Sequence, residues 1–314
     1  MADDTRLKIG LSLPTWPGRD GLNVGWSVMR RLARDVESLG VDTLWVPDHL
    51  MRVIPGRPPI GFWECWTILS AAADATTRIE VGPFVACTGF RNPALLAKMA
   101  ATLDEVSAGR LVLGLGSGVP ASDDSWRAFG YDDERHVGKH AEAVEIVARM
   151  LREPPVTFEG GHYRTDGAEA LPRGPRPTGI PLWIAGKGER TMRIAARWGD
   201  AVNVNTTLSS AADVAEIAEQ AAAACAAVGR NPASLELTGY GRIALKPDGS
   251  ADERPGWIGG SREAMVATMR SLGAAGLQHL TLYVGEADDP SPLPALTGAT
   301  LERFAPLFEA LRAG

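Results

Sequence analysis

Three cysteines in 314 residues, Cys65, Cys87 and Cys225, are too widely spaced for a disulfide framework or a paired-thiolate zinc site. Their odd number fits a reducing compartment. Lysine is scarce: it stands only at positions 8, 98, 139, 187 and 246, so 27 of the 32 basic residues are arginine. A basic surplus is absent too. Against those 32 stand 38 acidic residues, and the net charge of −6 repels nucleic acid and anionic lipid. No run of ~18 apolar residues occurs. The opening MADDTRLKIGLSLP has no basic segment followed by an apolar one, so the reading is cytoplasmic, with no membrane partner. The motifs G-x-S-x-G, G-x-x-x-x-G-K-[ST] and H-E-x-x-H are missing, which removes the simplest serine-hydrolase, NTPase and zinc-protease readings.

What remains is ordinary globular composition, 45% apolar and 22% charged, in a strict alternation of strand and helix patterns. Strand-like runs fall at 7–13, 42–46, 78–86, 110–116, 181–185, 200–205, 235–245 and 279–284. Helical spacing follows each, at 24–40, 62–77, 92–109, 134–152, 189–199, 210–228, 261–273 and 300–314, with Pro306 a local weakness in the last. Eight βα units predict an α/β fold of the (β/α)8 TIM-barrel type, a single domain over 1–314. An open doubly wound sheet in two domains is the alternative. Between units four and five, VTFEGGHYR (156–164) predicts a hairpin, and the Pro-rich 171–181 a loop, together an insertion.

In such barrels chemistry sits just after the strands, at their C-terminal ends. After the second strand stand Asp48 and His49, a carboxylate beside an imidazole, suited to general acid–base work or to a structural hydrogen bond. After the fourth come Ser117, Gly118 and the polar cluster of Ser122, Asp123 and Asp124. The segment 116–121 formally fits G-x-G-x-x-A, but Pro120 stands where a phosphate-binding helix would open, so it is not a dinucleotide fingerprint; its glycines can let a flat cofactor approach. After the fifth, residues 186–191 (GKGERT) combine glycines, Lys187, Arg190 and a helix start, which reads either as a phosphate cradle or as a plain tight turn. His136 and His140, four apart, are read as solvated or capping residues, and no metal is expected. Trp16, Trp63 and Trp66 fall where they can wall an apolar pocket, although core packing is the ordinary role of each.

Five segments carry a family likeness: WVPDHL (45–50), RNPALLAKMAATLDEVSAGRLVLGLGSG (91–118), AFG (128–130), VTFEGGHYR (156–164) and PLWIAGKGERTMRIAARWGDAVN (181–203). Together the sequence resembles the luciferase-like flavin and deazaflavin oxidoreductase superfamily, and its Asp48-His49 pair resembles the branch that uses coenzyme F420. The resemblance implies a hydride-transferring oxidoreductase acting on a small-molecule substrate, with His49, assisted by Asp48, moving the balancing proton. It implies that Asp48, Ser117, Gly118 and Ser122 lie around the cofactor ring and tail. Ala185, Gly186, Lys187 and Gly188 would hold the phosphate, and a non-proline cis peptide at Phe84-Val85 would stand behind the ring. Arg52 is placed to meet an acidic or carbonyl substrate. A homodimer is implied by the resemblance alone. FMN-dependent monooxygenases with a separate reductase share the barrel and are the alternative; a non-catalytic flavin-binding relative is a third reading. Two departures stand out. The sugar-phosphate and alcohol dehydrogenases of the deazaflavin branch have a glutamate where this chain has Val119, and a tryptophan where it has Leu50, Met51 and Arg52.

Overall fold

The computed structural model describes residues 6–17, 22–53, 56, 58–176, 179–287 and 295–313. In chain order the elements are β1 (Lys8–Ser12), α1 (Trp26–Leu39), β2 (Thr43–Val46), a small hairpin of β3 (Met51–Arg52) and β4 (Ile60–Gly61), α2 (Cys65–Ala75), β5 (Glu80–Pro83) and β6 (Ala86–Cys87). Then come α3 (Pro93–Val106), β7 (Leu113–Gly116), α4 (Ser125–Ala128), α5 (His136–Arg152), and a hairpin of β8 (Val156–Glu159) and β9 (Arg164–Ala168). The second half runs β10 (Leu182–Ala185), α6 (Glu189–Trp198), β11 (Ala201–Thr207), α7 (Ala211–Ala227), β12 (Glu236–Leu245), α8 (Arg262–Ala274), β13 (His279–Glu286) and α9 (Gly298–Arg312).

One parallel sheet takes the order β5-β2-β1-β13-β12-β11-β10-β7-β6. Its two ends are halves of one stave, parted at Phe84 and Val85, whose peptide bond is cis. The Val81 N–H donates to Arg110 O at 3.0 Å and the Val112 N–H to Val81 O at 2.9 Å, so β5 is stitched to the chain entering β7. The sheet thereby closes into an eight-stave barrel with helices outside, and the open doubly wound sheet is excluded. Its hairpin between α5 and β10 reaches further than the sequence indicated, because the return strand starts at Arg164 and runs to Ala168. Residues 177 and 178 of the Pro-rich loop lie outside the described residues.

The local sequence explains the elements. Helix α1 buries Met29, Leu32, Ala33 and Val36, one stripe at 3.6-residue spacing, and stops where Gly40 turns left-handed at φ 86°. Asn92 caps α3 by accepting from the Ala94 and Leu95 N–H groups, with Pro93 in the first turn. Helix α9 continues through Pro306.

The barrel axis is filled by aromatic rings. Trp45 packs on Trp183 at 4.9 Å and on Phe84 at 5.2 Å between centroids, and Trp183 meets His279 edge-on at 4.8 Å. Room for the indole comes from two strand glycines: a Cβ on Gly10 would stand 2.2 Å from Trp45 Nε1, and one on Gly82 would stand 2.5 Å from Trp45 Cζ3. Below this plug, at the N-terminal mouth, lies a cavity of about 310 Å³ lined by Lys8, Glu80, Glu236 and His279, among others. Thr43 donates its hydroxyl to Glu80 at 2.9 Å, so it accepts from His279 Nε2 at 3.0 Å.

Arg110 holds the closing seam. It donates to Ser107 O (2.7 Å), Thr76 Oγ1 (3.0 Å), Ile79 O (2.8 Å), Ala73 O (2.7 Å) and Thr76 O (3.1 Å), joining the ends of α2 and α3 to the stave between them. Arg110→Met leaves several carbonyls without this donor and is expected to cost about 2–4 kcal/mol. Urea unfolding checks this, and an unchanged midpoint would remove Arg110 from the closure.

Candidate active site

A cavity of about 600 Å³ opens at the C-terminal ends of the strands, within the usual size for a small-molecule site. Asp48, His49, Phe84, Val85, Ser117, Gly118, Ser122, Ala185, Gly186 and Lys187, all singled out from the sequence, line it, and so does Arg52. Gly188 and Arg190 do not. Arg190 is exposed and lies instead toward the first turn of α5, beside Gly138 and His162.

Asp48 leaves β2 with its side chain fully buried. Arg91 grips both carboxylate oxygens, Nη1 to Oδ2 at 2.6 Å and Nη2 to Oδ1 at 3.0 Å, and the Cys87 N–H donates to Oδ2 at 2.9 Å. The same guanidinium reaches Glu64 at 2.8 Å, and Glu64 in turn caps α2 through the Trp66 and Thr67 N–H groups. Asp48 therefore fastens the ends of β2, β6 and α2 to one another. Both of its oxygens are committed to fixed donors. Burial, with the Asp48 charge nearby, pushes the Cys87 thiol up to about 12, which keeps it protonated and unreactive.

His49 is 38% exposed, and its Nδ1 lies 2.7 Å from Asp123 Oδ2. The other Asp123 oxygen accepts from the Ser125 N–H at 2.9 Å. Burial raises the Asp123 carboxyl, but the hydrogen bond and charge of His49, with Ser125, outweigh it and hold the group below the usual carboxylate range. With Nδ1 committed, Nε2 is the ring atom left for exchange with a ligand. The loop carrying Asp123 is sewn to the loop carrying His49: Ser125 Oγ accepts from the Leu50 and Met51 N–H groups at 3.1 Å each, and Asp124 accepts from Val53 N–H at 2.7 Å. Asp123 and Arg91 are the residues that sequence reasoning missed. The signal for Asp123 was its place in the polar cluster after the fourth strand, but 74 positions separate it from His49.

On the third stave the cis Phe84-Val85 bond falls where the resemblance put it. Val85 fills the space that a side chain on β7 would need: a Cβ on Gly116 would stand 2.6 Å from Val85 Cγ2. The β7 glycines thus admit Val85, a use the sequence did not indicate, and Gly116 also lines the cavity.

At the opposite side Gly186 takes φ 145°, and a Cβ there would stand 2.5 Å from Thr191 Cγ2. Gly188 caps α6 without any side-chain hydrogen bond, so no side chain covers the first-turn N–H groups. Lys187 is exposed and forms no ion pair among the described residues. The first turn of α5 contributes His136 and Val137 to the same cavity.

One histidine expectation needs correction, while Trp16 and Trp66 take the core packing that is ordinary for tryptophan. His140 is buried, not solvated: Thr88 donates its hydroxyl to Gly116 O at 3.1 Å and so accepts from His140 Nδ1 at 3.0 Å. Helix α5 turns this face inward, toward the end of β7. Of the tryptophans, Trp16 packs behind Phe62 and Tyr283, Trp63 is exposed with Nε1 donating to Val24 O, and Trp66 packs near Arg91. The aromatic lining is Phe62, Phe84, Tyr240 and Tyr283 instead.

Residues 7–254 match the family model described as luciferase-like monooxygenase. An F420-dependent glucose-6-phosphate dehydrogenase of Intrasporangium calvum is 35% identical over 174 residues, covering 52% of this chain and 49% of that protein. A 5,10-methylenetetrahydromethanopterin reductase of Archaeoglobus fulgidus is 27% identical over 212 residues, covering 68% of this chain and 58% of that protein. The chain thus spans about half the length of the curated relatives it matches. Among solved structures, an F420-dependent secondary alcohol dehydrogenase in complex with an F420-acetone adduct superposes with a TM-score of 0.79 at 18% identity, covering 98% of this chain and 99% of that one, a likeness of fold.

Two outcomes follow from the buried groups. Burial pushes His140 from 6.5 to about 4 and His279 from 6.5 to about 3. Between those values the unfolded chain takes up protons that the folded chain refuses, so stability falls as pH drops below 6.5. Urea unfolding at pH 7.5 and pH 5 should differ by roughly 2 kcal/mol for each histidine, with a shallower dependence in His140→Gln. Asp48→Ala leaves Arg91 half-buried without its main partner and should cost about 3–5 kcal/mol, readable as a lowered Tm.

Proposed function

The chain belongs to the luciferase-like monooxygenase family, and from that membership we propose that it is a coenzyme F420-dependent oxidoreductase of small organic substrates, a single barrel domain over 1–314. The observation that carries this reading is one cavity that holds both His49, with Nε2 uncommitted, and the turn of Gly186 and Lys187 before an uncapped helix. Cytoplasmic location and a homodimer belong to the same proposal.

The residues present fit the cofactor. A phosphate suits the turn at 186–188, where backbone N–H groups, the helix start and Lys187 offer positive charge and Gly188 has open space at its Cβ. Ser117, Gly118 and Ser122 would lie around the ring and tail, with Phe84 and Val85 behind the ring and Ala185 beside the phosphate. When bound, the deazaflavin supplies or accepts a hydride at C5. His49 holds or releases the balancing proton at Nε2, and Asp123 fixes the ring's tautomer and orientation by accepting from Nδ1. Asp48 positions rather than reacts. With Val119 in place of a glutamate, the pair of His49 and Asp123 is the cavity's proton-handling unit.

The test is parallel titration of the purified protein with F420 and with FMN, followed by fluorescence quenching. Selective F420 binding supports the reading. Selective FMN binding moves it to a monooxygenase supplied by a separate reductase, and binding of neither overturns both. His49→Ala should keep the F420 dissociation constant while lowering turnover ~100-fold or more, and Asp123→Asn should lower turnover less. Lys187→Ala should weaken F420 by about 1–3 kcal/mol.

A further inference from the structure

The cavity has cations beyond the Lys187 assigned to the cofactor phosphate. Its two lining carboxylates are both paired, Asp48 with Arg91 and Asp123 with His49. Three of its cations, Arg52, Lys187 and Arg242, have no ion pair among the described residues, in a chain whose net charge is −6. Arg242 is the most telling. It sits on β12 in register with Tyr283 of β13, its guanidinium carbon 5.6 Å from the Tyr240 ring centroid and 5.8 Å from that of Trp257. The two rings hold the side chain in place. Its Nε is buried with no hydrogen-bond acceptor, a state that proteins rarely leave unfilled.

A chain of rings runs from His49 to this arginine. His49 contacts Phe62 at 5.4 Å, Phe62 contacts Trp16 at 6.1 Å, Trp16 contacts Tyr283 at 6.4 Å, and Tyr283 contacts Tyr240 at 5.8 Å. Phe62, Tyr283 and Tyr240 line the cavity, so a flat apolar body lying along them has the proton-handling histidine at one end and an unpaired guanidinium at the other. Arg242 also lies two staves away from the turn at Lys187, since β11 separates β12 from β10.

We propose that Arg242 is the recognition site for an oxyanion on the substrate, and that the substrate is an organic acid with a flat, largely apolar body. Arg52 adds a second positive charge at the same cavity. The inference rests on the reading of this cavity as the site of cofactor and substrate together.

Isothermal titration calorimetry of the full chain, with and without F420, tests it using two acid–amide pairs: benzoate against benzamide, and trans-cinnamate against cinnamamide. At least one acid should bind tenfold or more tightly than its amide. Arg242→Gln should abolish that preference, Arg242→Lys should keep part of it, and both variants should bind F420 within twofold of the parent. The proposal is overturned if neither pair shows a preference, if the preference survives Arg242→Gln, or if Arg242→Gln weakens F420 itself, which would assign the arginine to the cofactor. Acid preference that depends on Arg242 in a protein that does not bind F420 would uphold the anion site while removing the deazaflavin reading.

Discussion

The buried pair of Asp48 and Arg91 is the constraint on which the upper face of the barrel depends. One carboxylate takes two guanidinium bonds and the Cys87 N–H, and the guanidinium goes on to the residue that caps α2. A buried ion pair gains its strength from such complete satisfaction, since desolvation otherwise cancels the attraction. The geometry that follows is local but far-reaching. The second stave's end cannot move relative to the third without breaking it, and His49 is the next residue along. An imidazole aimed at a ligand needs a fixed backbone, and here the neighbouring side chain provides it.

His49 shows how the site divides its labour. A carboxylate adjacent in sequence would be the obvious partner for an imidazole, yet consecutive side chains at an extended strand end point away from each other. The partner comes from the loop after β7 instead, where Asp123 turns back to Nδ1 while Ser125 and Asp124 bind the backbone of residues 50–53. Two loops from different βα units thus form one rim. Val119 leaves the end of the fourth stave apolar, and the acid arrives four residues later.

Much of this was legible in the sequence. The eight units were, because helix stripes, strand runs and glycine stops are local signals, and the cavity's strand-end residues followed from the barrel. The partnerships were not. Nothing in a linear reading joins Asp48 to Arg91 across 43 positions, or His49 to Asp123 across 74. His140 misled because a polar residue on a helix is ordinarily solvated, and only the position of Thr88 against α5 supplies its inward hydrogen bond. The glycines of β7 were legible only in part: the resemblance placed the cis bond at Phe84-Val85, but not the packing of Val85 into the space that those glycines leave.

The plug of Trp45, Trp183 and His279 has a consequence for traffic. It stands between the lower mouth and the upper cavity, and the two strand glycines let the indole fill the axis without a gap for a side chain of their own. Ligands therefore reach the upper cavity from the C-terminal face of the barrel and not along its axis from the lower mouth.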